Sequence, residues 1–193
     1  MRELQQPTAK STNLALPELP VLETERLILR QNQLSDLDAR CAITDDPEFM
    51  RFVGGVYDRQ ENLSRILRYV GHWAAFGYGL FAVEEKGTGR YVGNVGLAHF
   101  ERELGEDFDS FPEGAWMVAQ WAEGRGYASE AMTAAIGWHE ATFGPGRMVC
   151  IIDPGNATSF KLANRLGFHR FREGVSRGRT VVLLERNASP HAR

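Results

Sequence analysis

Three strand patterns follow one another in the middle of the chain with no helix pattern between them, and this order constrains the fold most. Residues 80–84 and 91–97 are short apolar runs separated by Gly87 and Gly89, which is typical of a hairpin. Residues 114–119 form the third run. A dinucleotide-binding sheet needs helices that alternate with strands from its start, so the order argues against that fold. We predict a mixed α/β (α+β) single domain.

The flanking patterns place helices before and after this strand block. Asp58 with Glu61 forms a capping box, and apolar residues at helical spacing follow it as far as Gly77. Ser35 with Asp38 predicts an earlier capping box. The domain is predicted to span 21–186, between a flexible arm at 1–20 and a tail at 187–193. Its remaining elements are a strand over 24–30, helices over 36–44, 47–52, 128–143 and 157–166, a strand over 147–153, and a hairpin of 169–174 with 180–186.

Composition and charge exclude several classes of protein. The 193 residues are 43% hydrophobic and 24% charged, which suits one globular domain. A net charge of -3 without a dense Lys/Arg run argues against general nucleic-acid binding. No apolar run approaches the ~20 residues that cross a bilayer, and the first ten residues lack the apolar centre of a signal peptide. We expect a cytoplasmic protein that does not associate with membranes.

Cysteines and histidines give no sign of a disulfide or a metal. Cys41 and Cys150 lie far apart, in a predicted helix and a predicted strand, which is typical of reduced thiols. Packing explains a cysteine in an apolar strand, and a catalytic thiol is the alternative. The five histidines lack metal-binding spacing, and His139-Glu140 has no second histidine where an HExxH site needs one. We predict no metal site.

Two glycines in 122-AEGRGYASEA-131 stand between the third strand pattern and a long helix pattern. Gly124 and Gly126 let backbone N–H groups approach a ligand without an intervening Cβ. The helix that follows has unpaired N–H groups and the positive end of its dipole, so the turn suits a phosphate, to which Arg125 adds charge. A tight turn that binds nothing is the alternative. The stretch is not a GxGxxG dinucleotide-binding motif, because Ser129 occupies the position of the third glycine. It is not a Walker A loop either.

The stretch resembles the acetyl-CoA-binding motif Q/R-x-x-G-x-G/A of the GNAT acetyltransferase superfamily, and its form is most similar to the RimJ/RimL branch. Four further segments resemble that branch and occur in its order: 24-TERLILR-30, 46-DPEFMRFVGG-55, 72-HWAAFGYGLFAV-83 with 91-YVGNVGL-97, and 156-NATSFKLANRLGF-168. The similarity covers roughly residues 22–186. It implies a GNAT-like domain whose central, mostly antiparallel twisted sheet is splayed near its middle and flanked by helices.

The resemblance implies an N-acetyltransferase that moves an acetyl group from acetyl-CoA to a primary amine, either a protein N-terminus or a small molecule. The protein is expected to be a monomer or a homodimer. Two positions depart from the family pattern: Trp121 replaces Gln or Arg in the pyrophosphate motif, and Ala163 replaces a tyrosine that protonates the leaving thiolate in many members. The implied cofactor-binding residues are Met117, Val118, Ala119, Glu123, Gly124, Arg125, Gly126, Tyr127, Ala128, Ser129, Asn156, Ser159 and Arg165.

The reaction requires a base, an oxyanion donor and a proton for the thiolate. Glu113 is the candidate base, because an amine with a pKa near ~9–10 is mostly protonated at neutral pH; its alternative reading is the last charge of an acidic loop. The resemblance implies that the Val118 N–H stabilises the oxyanion at the splayed strand edge. Asn156 and Ser159 are the polar candidates near the sulfur, and helix capping alone also explains them.

Acceptor selection rests on weaker signals. Trp73, Phe76 and Tyr78 resemble the acceptor wall of the family, although core packing also explains them. The loop 101-ERELGEDFDSFPE-113 carries six acids and one arginine, which would attract a cationic amine unless it is simply a solvated loop. The competing function is a non-catalytic acyl-CoA-binding sensor or partner module, and a Glu113→Gln variant separates it from the enzyme.

Overall fold

The computed structural model describes residues 19–188, so most of the predicted arm and tail lies outside the described residues. The strands are β1 (Leu22–Glu23), β2 (Leu27–Arg30), β3 (Leu80–Glu85), β4 (Tyr91–Ala98), β5 (Glu113–Val118), β6 (Met148–Ile152), β7 (His169–Ser176) and β8 (Arg179–Arg186). The α-helices are α1 (Leu37–Thr44), α2 (Pro47–Met50), α3 (Arg59–Phe76), α4 (Glu106–Asp109), α5 (Tyr127–Phe143) and α6 (Ala157–Arg165). Short 3-10 helices span Leu34–Asp36 and Gln120–Ala122.

The strands form one open sheet in the order β1-β2-β3-β4-β5-β6-β8-β7. Every neighbouring pair is antiparallel except β5 with β6. This confirms the predicted mixed α/β domain with a mostly antiparallel sheet. The helix α4, inside the predicted acidic loop, is an addition to the predicted elements.

Local signals explain where the longest helix, α3, begins and ends. The Asp58 carboxylate accepts from the Glu61 N–H at 2.7 Å, and the Glu61 carboxylate accepts from the Asp58 N–H at 2.8 Å. Gly77 ends the helix with a φ of 73°, a left-handed conformation that glycine adopts without a Cβ clash. The predicted boundaries of α3 are therefore confirmed.

The predicted capping box of Ser35 with Asp38 is wrong. The box forms two residues earlier, where the Asp36 carboxylate accepts from the Gln33 N–H at 2.8 Å. Asp36 is buried and also pairs with Arg30 at 2.7 Å, so a 3-10 turn precedes α1. Asp38 remains exposed and pairs with Arg59 at 2.7 Å.

The two faces of the sheet carry different helices. A Cβ on Gly114 would lie 3.4 Å from Phe168 and 3.6 Å from Met132 of α5, whereas the next residue, Ala115, packs with Tyr69 of α3. Successive residues of a strand point to opposite faces. Helix α5 therefore covers one face and α3 covers the other.

Strand β4 approaches β5 closely at Gly93. This residue has a φ of 152°, and a Cβ built on it would lie 2.0 Å from the Met117 carbonyl oxygen. Its register partner is Val118. No side chain fits at Gly93 without separating the two strands.

Both cysteines are free thiols, and Cys150 is buried in β6. Burial raises the pKa of the Cys150 thiol well above its usual value. Among the described residues, no group of three or more His, Cys, Asp or Glu is placed to hold a metal ion. In that same part of the chain, no helix combines the length and the apolarity needed to cross a bilayer.

Candidate functional site

Strands β5 and β6 diverge immediately after they meet. In the described chain their single register pair is Glu113 with Val149, and the Val149 N–H donates to the Pro112 carbonyl at 3.0 Å. Beyond this pair β5 continues along β4 as far as Val118, with no partner on its β6 side. The sheet therefore opens into a cleft between β5 and β6, near its middle as predicted.

The backbone of Val118 faces this cleft. The Ala119 N–H donates to the Val92 carbonyl of the neighbouring strand at 2.8 Å. Because an antiparallel strand presents its N–H and C=O groups to its two sides alternately, the N–H and C=O of Val118 point away from β4. Of the predicted edge residues Met117, Val118 and Ala119, only Val118 thus offers unpaired backbone groups to the cleft.

One hydrogen bond crosses the cleft. The Trp116 indole Nε1 donates to Ser159 Oγ at 3.2 Å. Ser159 lies in the first turn of α6, where its N–H donates to the Asn156 Oδ1 at 3.0 Å. The structure therefore brings Ser159 beside the free edge of β5, while the side chain of Asn156 caps the helix.

The predicted glycine turn follows the end of β5 directly. Gly124 and Gly126 have φ values of 71° and 81°, in the left-handed region that favours glycine. Helix α5 then begins at Tyr127, and its first carbonyl-bonded amide is that of Glu130, which donates to the Gly126 carbonyl at 3.0 Å. The N–H groups of residues 127–129 consequently have no partner within the helix, the arrangement that binds anions at helix starts.

Arginines surround the turn. The guanidinium of Arg90 lies 3.9 Å from the centre of the Trp121 ring, and that of Arg125 lies 5.6 Å from it. Trp121, which departs from the family pattern, therefore serves as a platform for two cations. Arg26 pairs with Glu130 at 2.6 Å and donates to the Arg125 carbonyl at 2.9 Å, which fixes the turn against the start of α5.

The remaining predicted cofactor residues differ in what they offer. The Tyr127 hydroxyl donates to Glu85 at 2.6 Å, so its backbone rather than its side chain is available to a ligand. Glu123 is exposed and Ala128 and Ser129 are half-buried at the turn. Arg165 lies in the last turn of α6, about 13–14 Å along the helix axis from Asn156. The structure does not bring Arg165 to the glycine turn through any hydrogen bond or ion pair between described residues.

Glu113 is the first residue of β5 and is only 3% exposed. Its two carboxylate oxygens accept from Arg102, at 2.5 Å from Nε and 2.6 Å from Nη2. Burial raises the pKa of Glu113, and the Arg102 guanidinium opposes that shift. Glu113 is thus not a solvated loop charge, because its carboxylate is buried and each of its oxygens is bonded to Arg102.

A cavity of about 430 Å³ lies on the α3 face of the sheet, beside β5. We name it the arginine cavity. Ala115 and Met117 of β5 form part of its floor, since they point to this face, and the turn between β7 and β8 closes one side. Its charged lining consists of Arg40 of α1, Arg65 and Arg68 of α3, the loop residues Glu101, Arg102 and Glu103 after β4, and Arg177.

The predicted acceptor residues lie elsewhere. Trp73 is 1% exposed, and its ring packs at 4.9 Å from that of Phe81. Phe76 stacks on His72 at 4.5 Å, and Tyr78 contacts His139 at 5.0 Å. None of the three predicted residues lines the arginine cavity. Arg65 and Arg68 were not predicted as site residues. Their spacing of three on a predicted helix, which places both on one side of it, was the sequence pattern that could have indicated them.

The acids of the loop 101–113 are largely paired. Asp107 pairs with Arg172 at 2.7 Å, and Asp109 accepts from the backbone N–H groups of Arg102, Leu104 and Gly105 at 2.7–2.9 Å. Glu113 is held by Arg102. Much of the negative charge that was expected to attract a cationic amine instead holds the loop in place.

Comparisons with known proteins agree with this architecture. A family model described as an acetyltransferase (GNAT) domain matches residues 26–169. A Bordetella pertussis protein assigned to the GNAT acetyltransferases is 32% identical, covers 86% of this chain and 99% of its own, and superposes with a TM-score of 0.77. The uncharacterized N-acetyltransferase YoaA of Bacillus subtilis is 27% identical over 89% of this chain and 92% of its own.

More distant structures share the fold. RimL, a ribosomal alpha-N-protein acetyltransferase solved in complex with coenzyme A, superposes with a TM-score of 0.69 at 15% identity, over 88% of this chain and 98% of its own. The predicted resemblance to the GNAT acetyltransferases is confirmed, and RimL shares the fold. With a family model that spans most of its length, the chain belongs to the GNAT acetyltransferase family.

Proposed function

We propose that this protein transfers an acetyl group from acetyl-CoA to a primary amine. The observation that carries the proposal is the cleft between β5 and β6, which has an unpaired strand edge at Val118 and the glycine turn at its end. RimL, which shares the fold, was solved with coenzyme A, and YoaA is named as an N-acetyltransferase.

The residues of the cleft fit the parts of acetyl-CoA. The N–H groups of Gly124 to Ser129 and the side chains of Arg90 and Arg125 suit a pyrophosphate, because they combine a helix start with positive charge. The backbone of Val118 suits the amide-rich pantetheine arm, which adds to a strand edge by main-chain hydrogen bonds. Ser159, across the cleft from Trp116, suits the sulfur.

The proposed reaction is direct. The amine nitrogen attacks the thioester carbonyl carbon, a C–N bond forms, and the C–S bond breaks to release coenzyme A. The N–H of Val118 supports the charge that develops on the carbonyl oxygen. Ser159 Oγ accepts from Trp116 and so has its own hydrogen available for the thiolate, a role that Ala163 cannot perform.

We also propose that Glu113 is the general base that removes the amine proton, and this role stays a prediction. The bidentate pair with Arg102 adds a condition to it, since the amine has to reach a buried carboxylate whose two oxygens already accept from the guanidinium. This same pair favours the alternative function, a non-catalytic acyl-CoA-binding module, in which Glu113 holds Arg102 permanently.

Two measurements test the proposal. Calorimetric titration with acetyl-CoA, beside NAD and ATP as controls, should show binding of acetyl-CoA alone, weakened by Gly126→Val. Release of free thiol in the presence of an amine should then show turnover. Absence of acetyl-CoA binding at high micromolar concentration would remove the basis of the proposal, while binding without turnover on a broad amine panel would favour the non-catalytic module.

A further inference from the structure

We propose that the acceptor is a small primary amine that also carries a carboxylate or a phosphate, which the arginine cavity binds. This inference rests on the proposed acetyl transfer and names the substrate class of that site. It reverses the charge expected for the acceptor from the acidic loop.

The charges of the cavity are unbalanced. Arg102 is neutralised by Glu113. The other charged groups of the lining are two acids, Glu101 and Glu103, and four arginines, so the cavity carries a net positive charge. The four other arginines of the cavity have no carboxylate within 4.0 Å among residues 19–188. They are Arg40, Arg65, Arg68 and Arg177.

Arg40 carries most of the argument because it is buried. It is 1% exposed, it donates from Nη1 to the Asn94 side chain, and its guanidinium lies 5.3 Å from the centre of the Tyr69 ring. Its Nε has no hydrogen-bond partner in the described structure. A buried cation without a counter-charge is costly, and an anion bound in the cavity would offset that cost.

Arg65 and Arg68 add positive charge to the cavity that is more accessible to solvent than that of Arg40. They lie one turn apart on α3, Arg65 half-buried and Arg68 exposed. The carboxylates at the start of the helix, Asp58 and Glu61, are engaged with each other's backbone in the capping box. The two guanidiniums therefore remain available for the bidentate contacts that arginine makes with carboxylate and phosphate.

The cavity is distinct from the proposed coenzyme site. No residue of the glycine turn lines it, and the arginines beside that turn are Arg90 and Arg125. Met117 of β5 forms part of its floor, one residue from the backbone of Val118 that faces the cleft. A bound amine can thus reach the thioester while its acidic group lies among the arginines. A volume of about 430 Å³ suits a small molecule.

Matched acceptors test the charge preference. We would compare 2-aminoethyl phosphate, β-alanine, ethanolamine and ethylenediamine, with release of coenzyme A as the readout. We expect kcat/KM at least 10-fold higher for one of the two anionic amines than for ethanolamine, and the preferred anion distinguishes phosphate from carboxylate. Equal or better use of ethanolamine or ethylenediamine would overturn the inference and leave the acetyl transfer standing. Better use of an acidic peptide than of every small anion would also overturn it.

Substitutions of Arg65 and Arg68 test whether these arginines bind the acidic group of the acceptor. The double variant Arg65→Gln/Arg68→Gln should raise KM for the preferred anionic amine at least 10-fold, and should change KM for acetyl-CoA and kcat/KM for ethanolamine by a much smaller factor. Arg59→Gln, on the same helix but outside the cavity, is the matched control. Calorimetric binding of the anionic amine to the protein saturated with coenzyme A gives a second readout, independent of turnover. Unchanged KM and unchanged binding in the double variant would reject the assignment.

Discussion

The indole nitrogen of Trp116 and the hydroxyl oxygen of Ser159, 3.2 Å apart, join β5 to α6 across the cleft. This bond orients the Ser159 hydroxyl, because its oxygen accepts from the indole and its hydrogen is left to donate. The two residues are 43 positions apart in the chain, and the diverging strands bring them together.

Removal of the Ser159 hydroxyl should slow the chemical step. For Ser159→Ala we expect kcat to fall by about 10-fold, equivalent to one hydrogen bond to the thiolate, with KM for acetyl-CoA nearly unchanged. Steady-state kinetics with saturating amine measure both values. Thr158→Ala, at an exposed neighbouring position, is the control, and an equal loss there would show that the effect belongs to the helix rather than to the hydroxyl.

Substitution of Gly126 should reduce both stability and coenzyme binding. Gly126→Ala places a Cβ on a residue with a φ of 81° and 3.4 Å from Arg26 Nη2, so we expect a loss of roughly 1–2 kcal/mol in the free energy of unfolding. Gly137→Ala in the same helix has open space around it and should stabilise by about 0.5–1 kcal/mol. Chemical denaturation measures the free energy of unfolding of both variants, which should fall for Gly126→Ala and rise for Gly137→Ala. Changes of the same sign in the two variants would contradict the backbone strain assigned to Gly126.

Glu113→Gln tests the general base. We expect kcat to fall by about 100-fold if the carboxylate accepts the amine proton, while calorimetric affinity for acetyl-CoA is retained. The variant also leaves Arg102 without its anionic partner, so its stability has to be measured alongside its rate. A well-folded variant with full kcat would leave Glu113 only the role of holding Arg102.

Arg102→Gln should move the pH dependence of catalysis. Burial raises the pKa of Glu113 and Arg102 lowers it, so loss of the guanidinium raises that pKa further. Because a base acts only when deprotonated, the ascending limb of the kcat–pH profile should shift to higher pH. An unshifted limb in a variant that binds acetyl-CoA normally would mean that a different group titrates.

Protonation of His72 should destabilise the fold at low pH. Its Nδ1 donates to the Tyr78 carbonyl at 2.7 Å and its Nε2 accepts from the His99 N–H at 2.8 Å, which requires the neutral ring. Burial lowers the pKa of His72 from 6.5. Below that value the unfolded chain binds a proton that the folded chain does not, so stability falls as the pH drops from 6.5 towards the lowered pKa.

Thermal unfolding between pH 8 and pH 5 measures this loss. We expect the decrease in Tm over that range to be smaller in His72→Gln than in the unmodified protein, with some dependence left because burial also lowers the pKa of His139. Identical slopes for His72→Gln and the unmodified protein would refute the linkage.

The elements that the sequence predicted correctly are those with local signals. The cap at Asp58, the stop at Gly77 and the glycine turn each depend on residues a few positions apart, and their bounds agree with the structure. The cleft was predicted through the resemblance to GNAT proteins. A strand pattern alone does not reveal which neighbour a strand leaves.

The interactions that the sequence could not reveal are non-local. Arg102 and Glu113 are 11 positions apart in the chain, and Arg40 and Asn94 are 54 positions apart. The spacing of Trp73 and Phe76 did not show which side of α3 meets the core, and Tyr78 lies beyond the end of that helix. The predicted roles of these residues, the oligomeric state and the cytoplasmic location remain predictions.

The close approach at Gly93 extends the functional site beyond the residues that a ligand would touch. The backbone of Val118 is held in position by a neighbouring strand that tolerates no side chain opposite it. A methyl group at Gly93 would push β5 towards the cleft and narrow it. In a screen of random variants we therefore expect Gly93 to behave like a binding residue, although β5 separates it from the proposed coenzyme site.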